Sequence, residues 1–498
     1  MRMSKALLCF VFLVLVVGCE RLGAQFPAEN YVPLRNYSLS PDELKHIDLA
    51  YDSIAKGISY DNKKAKKLIQ QSIKESKDEF HDMNTDARIM HQDTISLYLQ
   101  HIANRVVERN PGLVRRKPTI FCYRTSVPNA SDRADGVIFV NLDLIAKLHN
   151  EEEMAFVICH EMGHDIKGHV IVRIQKLAGL LADPVMSAKL QEIKHRKYNR
   201  YKALEALLSD FLKQFTEHSR THELQADSLG LVLFMNAGYK ASQGLRTIQL
   251  LDSVDQPTYK LPIDFPAFFG FSDYPFRKSL LQADADETVQ MGNANWKLPD
   301  SLKTHPDCKI RLAALESLSK TKVDSLMQAD PGYEFVRQTS QFELIEHLQQ
   351  NNNYGLGLYQ VLQLLNKYPK NKYLQTSVVN ILYEINRAQK DHYFSQVVDF
   401  PEKENCQSYN QLLVFLHNTN SEITGKLANE YFQNHVEGHP RDAYSHYVEI
   451  LLKSMSTNKA GYAALYEGYK KADSDPYYLD LLKQKFNITE PQTSNQSN

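Results

Sequence analysis

The run Cys159-His160-Glu161-Met162-Gly163-His164-Asp165 sets two histidines and a glutamate inside a long apolar stretch of a 498-residue chain. The spacing calls for a helix, where residues four apart project from one face, one turn above the other. So arranged, the His160 and His164 imidazoles can share one Zn²⁺ at about 2.0–2.1 Å. Glu161 lies about 100° round the helix from His160. There, beside the metal, it can take a proton from a water held in the site. The H-E-x-x-H order is a mark of metal-assisted peptide-bond hydrolysis.

Chance supplies such a pentapeptide in roughly a few per cent of chains with this histidine content, so its context decides. Asn150-Glu151-Glu152-Glu153 reads as an N-cap with an acidic first turn and Glu153 in the capping-box position. Met154 to Cys159 follow without a polar residue, and a helix apolar nearly all round is buried. Polar groups in such a helix are costly unless paired, and a metal pairs them. The alternative is two satisfied core histidines.

A catalytic zinc takes three protein ligands and keeps one position open. His169, nine residues beyond His160, points away from the pair unless the helix breaks at Gly168. Asp183 lies 19 residues after His164, but Ala182-Asp183-Pro184 has the pattern of a turn. Glu223 is the best candidate. It stands on a second apolar helix, from about Leu207 to Met235, with Asn236-Ala237-Gly238 as its stop. Asp227, one turn on, can accept the second N–H of a ligand histidine. The alternative for Glu223 and Asp227 is an ordinary acidic pair on a solvated face.

Together these residues resemble the HtpX and CAAX-prenyl-protease type of gluzincin metallopeptidases. The match comprises H-E-x-x-H, then His169 after four more residues, then R-x-x-E-x-x-A-D at Arg220–Asp227. Thr304-His305-Pro306-Asp307 with Arg311-Leu312 is similar to the family's late T/S-H-P segment and downstream R-I/L. Asn129-Ala130 through Val140 is similar to its N-A-x(5)-G-x-I/V-x-V strand, except that Ala134-Asp135-Gly136 stands in place of Pro-Gly-Gly. The resemblance covers roughly residues 90–320.

The resemblance implies that His160, His164 and Glu223 bind one zinc per chain and that Glu161 is the general base. It places His305 near the site as an oxyanion stabiliser; the alternative is an N-cap contact before a helix at Lys309–Leu318. It also implies a strand beside the zinc helix that binds extended substrate by backbone pairing. Val137–Asn141 is the candidate edge, the alternative being an interior strand. Within the family the layout looks most like periplasmic members, soluble or lipid-anchored, with a tetratricopeptide (TPR) domain after the catalytic one. That implies an endopeptidase acting on unfolded or misassembled envelope proteins.

Residues 1–24 read as a secretory signal, with a basic start and an apolar core, Ala6 to Val17, too short for a comfortable membrane span. Val16-Val17-Gly18-Cys19 fits a lipobox, which would leave a mature chain starting at a lipidated Cys19. Leu22-Gly23-Ala24 fits an ordinary cleavage site. Either way the expectation is export to the periplasmic side of a bacterial envelope; the lipobox reading adds a lipid anchor, the only membrane attachment expected. A formal net charge of −1 gives no basic excess for nucleic acid. The cysteines show no C-x-x-C, and a Cys122–Cys308 bridge stays open as a pairing.

Residues 25–89 are a tether and a helical region that Ser40-Pro41-Asp42-Glu43 begins. Residues 90–325 form the metallopeptidase domain, with Thr119–Tyr123 and Val137–Asn141 as strands. The Pro- and Phe-rich stretch 254–303, which holds the only tryptophan, Trp296, is either a cover over the active site or packing around the core. Residues 330–488 read as helical pairs, at Tyr354–Tyr368 with Tyr373–Arg387, Ile423–His439 with Ala443–Met455, and Ala460–Ala472 with Tyr478–Phe486. They look like degenerate TPR units offering a surface to a partner protein, the alternative being generic helical packing. Residues 489–498 are a disordered tail. The fold expected is α+β, mostly α: a metallopeptidase domain with a small β-sheet, then a helical repeat domain. The function expected is an exported zinc endopeptidase in envelope quality control or outer-membrane protein assembly. The rival is an assembly factor that acts by binding, with a latent or structural zinc.

Overall fold

The Ser40 signal opens the first helix, α1 (Pro41–Gly57). The Ser40 hydroxyl accepts from the Glu43 N–H at 3.3 Å, and the Glu43 carboxylate accepts from the Ser40 N–H at 2.9 Å. The computed structural model describes residues 29–35, 39–58, 62–133, 136–255, 260–282, 307–403, 405–473 and 475–488, without the side chains of 202 and 204–219. Asn62 caps α2 (Lys63–Thr85), β1 (Ile89–Met90) follows, and Asp93 caps α3 (Thr94–Arg109).

β2 (Thr119–Tyr123), β3 (Ala130–Asp132) and β4 (Val137–Asn141) complete a sheet of order β1-β2-β4-β3. β4 runs parallel to β2, and β1 and β3 run antiparallel to their neighbours. The register Phe121↔Phe139 puts both rings on one face, where α1 and α2 cover them through Ile47, Tyr51, Ile69, Ile73 and Phe80. The Phe80 ring, fully buried, contacts Phe121 and Phe139 at 5.9 and 5.8 Å between centroids, a burial worth about 1.5–3 kcal/mol. Ile120, Cys122, Ile138 and Val140 point to the opposite face, on the side of α3. A sheet covered on both faces needs apolar residues at every strand position, which is why β2 and β4 read as unbroken runs rather than alternating ones.

The helices then run α4 (Leu142–Lys147), α5 (Glu151–Lys167), α6 (His169–Ala182), α7 (Pro184–His195), α8 (Arg200–Asn236) and α9 (Ala241–Leu251). After the insertion come α10 (Cys308–Ser319) and α11 (Pro331–Gln350). α5 is nearly all buried and packs against α8, α9, α3 and β3. Asn150 caps it by accepting from the Glu153 N–H at 2.9 Å; Glu153 itself accepts from the N–H of His149, one residue before the cap, at 2.7 Å. Gly168 at φ 66°, ψ 28° ends α5, a conformation glycine adopts without strain.

One expectation is corrected here. Val137–Asn141 is not the edge strand: it lies between β2 and β3. The edge beside α5 is the short β3. Cys122 and Cys308 are both buried and not joined by a disulfide, so the bridge between them is also set aside.

By its contacts the chain divides into two units, one drawn mainly from Leu34–Gln256 and Pro299–Leu344, the other from Pro27–Pro33, Pro257–Leu298 and Ile345–Asn498. The second unit holds α12 (Tyr354–Leu365), α13 (Lys372–Lys390), α14 (Gln407–His417), α15 (Ser421–His435), α16 (Ala443–Ser454), α17 (Tyr462–Ala472) and α18 (Pro476–Phe486). α12 packs on α13, α16 on α17 and α17 on α18, while α13 also packs against α15 and α16 and α14 against α12. α14 was not foreseen. The described part of the Phe-rich stretch belongs to this unit's core. Phe265, Phe269 and Phe276 surround Phe415 at 5.3, 5.0 and 6.0 Å between centroids. The result is α+β and mostly helical; among the described residues no helix is long and apolar enough to cross a membrane.

Candidate metal centre

α5 and α8 touch where each carries a glycine. A Cβ on Gly163 would come within 2.7 Å of the Ala226 carbonyl oxygen, and one on Gly230 within 3.0 Å of the His160 nitrogen. This approach brings His160 and His164 of α5 against Glu223 of α8. Ligand atoms of the three lie within 4.8 Å of one another. The edges are 3.1 Å between the two Nε2 atoms, 3.5 Å from His160 Nε2 to Glu223 Oε2, and 3.4 Å from His164 Nε2 to Glu223 Oε1. Bonds of about 2.0–2.1 Å at tetrahedral angles give donor separations of roughly 3.3–3.5 Å, so these edges fit zinc.

The outer contacts fix the protons. His160 Nδ1 lies 2.9 Å from Oδ1 of the fully buried Asp227, a carboxylate that can only accept. Asp227 is held in turn by Arg311 of α10, whose Nε and Nη2 donate to its two oxygens at 2.7 Å each; Nη1 of the same arginine reaches Glu223 Oε2 at 3.1 Å. Burial pushes the Asp227 and Glu223 carboxyls up. For Asp227, Arg311 and then His160 outweigh it and hold the carboxyl below its usual value; for Glu223, the His164 hydrogen bond with the charges of His160 and Arg311 does, and holds it well below the usual range. His164 Nδ1 faces His169 Nδ1 at 3.0 Å. With both Nδ1 atoms engaged outward, two imidazole lone pairs and a carboxylate converge on one point, an arrangement that asks for a cation.

Glu161 points two ways. Its Oε2 accepts from the backbone N–H of Asp132 in β3 at 2.8 Å, and its Oε1 faces the site, 4.0 Å from His160 Nε2. In the β3–β4 ladder Asn141 N–H donates to Asn129 O and Arg133 N–H to Val137 O. Odd-numbered residues therefore pair inward, and the backbone groups of Ala130 and Asp132 point to the outer edge. Asp165, the last residue of the sequence motif, anchors the other end of the hairpin: its Oδ1 accepts from the Gly136 N–H at 3.1 Å and from Arg116 at 2.7 Å.

The structure thus brings His160, His164, Glu223, Glu161 and Asp227 together. His169 is not in the cluster but stands behind His164, because the helix does break at Gly168. Asp183 is elsewhere, as the N-cap of α7, accepting from the Met186 N–H at 2.9 Å. His305, Trp296 and Cys19 lie outside the described residues. Arg311 was missed as a site residue; its only signal was its place in the R-I/L segment.

Residues 96–319 match the family model Peptidase family M48. The matched segment contains the whole cluster, and the match supports a metallopeptidase. Comparison with curated proteins found no match.

Proposed function

We propose that this chain is a zinc-dependent endopeptidase. The observation that carries the reading is the convergence of two imidazole Nε2 atoms and the Glu223 carboxylate beside a second carboxylate, Glu161, that is not aimed into the same triangle. Among the described residues the cluster offers three ligands, the number that leaves an open coordination position for catalysis; a purely structural zinc takes four.

A zinc held there supplies Lewis acidity toward a peptide carbonyl and makes a water acidic, with a pKa near ~7. The protein's part is to orient and to move protons. Asp227 and Arg311 hold His160 in the tautomer that directs Nε2 inward. The outer edge of β3, through the Ala130 backbone groups and the Asp132 carbonyl, is the place for an extended substrate to pair, the Asp132 N–H being held by Glu161. Glu161, fixed by the Asp132 N–H through one oxygen, uses the other to take the proton of the attacking water and deliver it to the departing amine. His305 is the candidate to stabilise the oxyanion.

The wider setting belongs to the same proposal. The 1–24 signal with Cys19 supports export and lipid anchoring, unfolded or misassembled envelope proteins are the substrates, and the paired helices of the second unit serve as a TPR-like surface for a partner protein.

The test is zinc content and casein cleavage for the wild type, Glu161→Gln and Glu223→Ala. Zinc near one per chain in the first two and lost in the third is expected, with cleavage lowered at least ~10²-fold in Glu161→Gln. Zinc retained by all three without cleavage by any would instead favour an assembly factor that acts by binding.

A further inference from the structure

Only one of the two candidate ligand histidines is backed by a carboxylate. His160 leans on Asp227 and Arg311. His164 leans on a second imidazole, His169, which Gly168 turns back over it: after the left-handed residue α6 starts afresh, and its first side chain comes within 3.0 Å of His164 Nδ1. His169 is itself buried, stacked on His222 at 4.2 Å with rings 9° from parallel, and its Nε2 lies 3.0 Å from Gln225 Oε1.

We propose that His169 is the positioning residue of the His164 ligand, acting as a neutral hydrogen-bond acceptor. The inference rests on the zinc reading above, and the proton count follows from it. If His164 offers its Nε2 lone pair to a metal, its proton sits on Nδ1 and must be donated outward. His169 Nδ1 is the atom that receives it, so the His169 proton is on Nε2 and is donated to the Gln225 side-chain oxygen. Every nitrogen in the relay then has one role, and the relay ends on a neutral amide.

The outer partners of metal-bound histidines are commonly worth 10–100-fold in metal affinity. His169→Phe keeps the stack on His222 and removes the acceptor; His169→Asn keeps an acceptor oxygen. Zinc affinity is measured by chelator competition for the wild type and both variants, together with proton NMR of the Co²⁺-loaded proteins in water. The expected result is a loss of about 10–100-fold in His169→Phe, with substantial recovery in His169→Asn. The wild type should show two slowly exchanging, paramagnetically shifted N–H signals, one from each ligand histidine, and His169→Phe only one. Equal affinity and two protected signals in His169→Phe would overturn the proposal while leaving the zinc site standing. A wild type that binds no metal would overturn the zinc reading and this one with it. Should His169→Phe fail to fold, Gln225→Leu takes its place: it must speed exchange of one of the two signals, and unchanged exchange there counts against the relay.

Discussion

Arg311 serves two acidic groups at once, and both are buried or nearly so. It is 1% exposed, and Asp227 is 0% exposed. Arg311→Met leaves Asp227 buried without a countercharge, which costs about 3–5 kcal/mol. We expect the denaturation midpoint of the metal-free protein to fall accordingly; a change under about 0.5 kcal/mol would show that the pair contributes nothing. Arg311→Lys recovers little, because a point charge cannot reproduce the forked contact with both Asp227 oxygens and still reach Glu223. At this scale the sequence was informative where chemistry forces a pattern. His160, Glu161, His164, Glu223 and Asp227 were all legible because their spacing on two helices has a reason. Arg311 and His169 were not, because what places them is tertiary. A cation on α10 looks like any solvated arginine until α8 is laid beside it. The helical period put His169 on the wrong side, and only the left-handed turn at Gly168 reverses that.

Among the elements, the α5–α8 crossing leaves no room for a side chain at its glycines. Gly163→Ala adds a methyl group that meets backbone, not a flexible side chain, at 2.7 Å. We expect a cost of about 1–3 kcal/mol and weaker zinc binding, since His160, His164 and Glu223 sit on the two helices being pushed apart. Undiminished zinc affinity in that variant would mean the approach does not set the ligand spacing. A second prediction concerns α1. Ser40→Ala removes its cap and costs about 1 kcal/mol at neutral pH. Burial opposes the Glu43 charge, but its hydrogen bonds with Ser40 and the neighbouring His91 outweigh it and hold the carboxyl below its ordinary value of 4.5. A depressed carboxylate stabilises the fold above its unfolded value and loses that effect as the pH falls. The difference between wild type and Ser40→Ala should therefore narrow below pH 4.5; a gap that widens in acid would contradict the assignment. Helix starts with side-chain caps were legible for the same reason that these caps work. Strand roles were not. In a sheet covered on both faces β2 and β4 carry similar apolar runs, so edge and centre look alike, and the true edge at Ala130–Asp132 is too short and too polar to stand out.

At the scale of the molecule the chain passes out of the first unit and returns. The 257–298 segment belongs to the second unit, where Phe265, Phe269 and Phe276 meet Phe415. A chain stopped after Leu344 should therefore aggregate and bind hydrophobic dye, while one that also replaces 257–298 with a short Gly/Ser linker should stay soluble and keep its zinc. Size-exclusion chromatography with metal analysis separates the two outcomes, and a soluble, dye-negative chain ending at Leu344 would refute this division. The helical character of the second unit could be read from the sequence, but the return of the chain could not, since a phenylalanine-rich stretch does not say which core it fills. The excursion also orders events in time. Glu161 and the three candidate zinc ligands leave the ribosome before Arg311, with roughly 90 residues between Glu223 and the arginine. At about 5–20 residues per second that is a wait of some 5–20 s. Until the arginine arrives, Asp227 and Glu223 have no guanidinium to neutralise them. The charges of the candidate site are therefore balanced only once the excursion through the other unit's segment is already behind the growing chain.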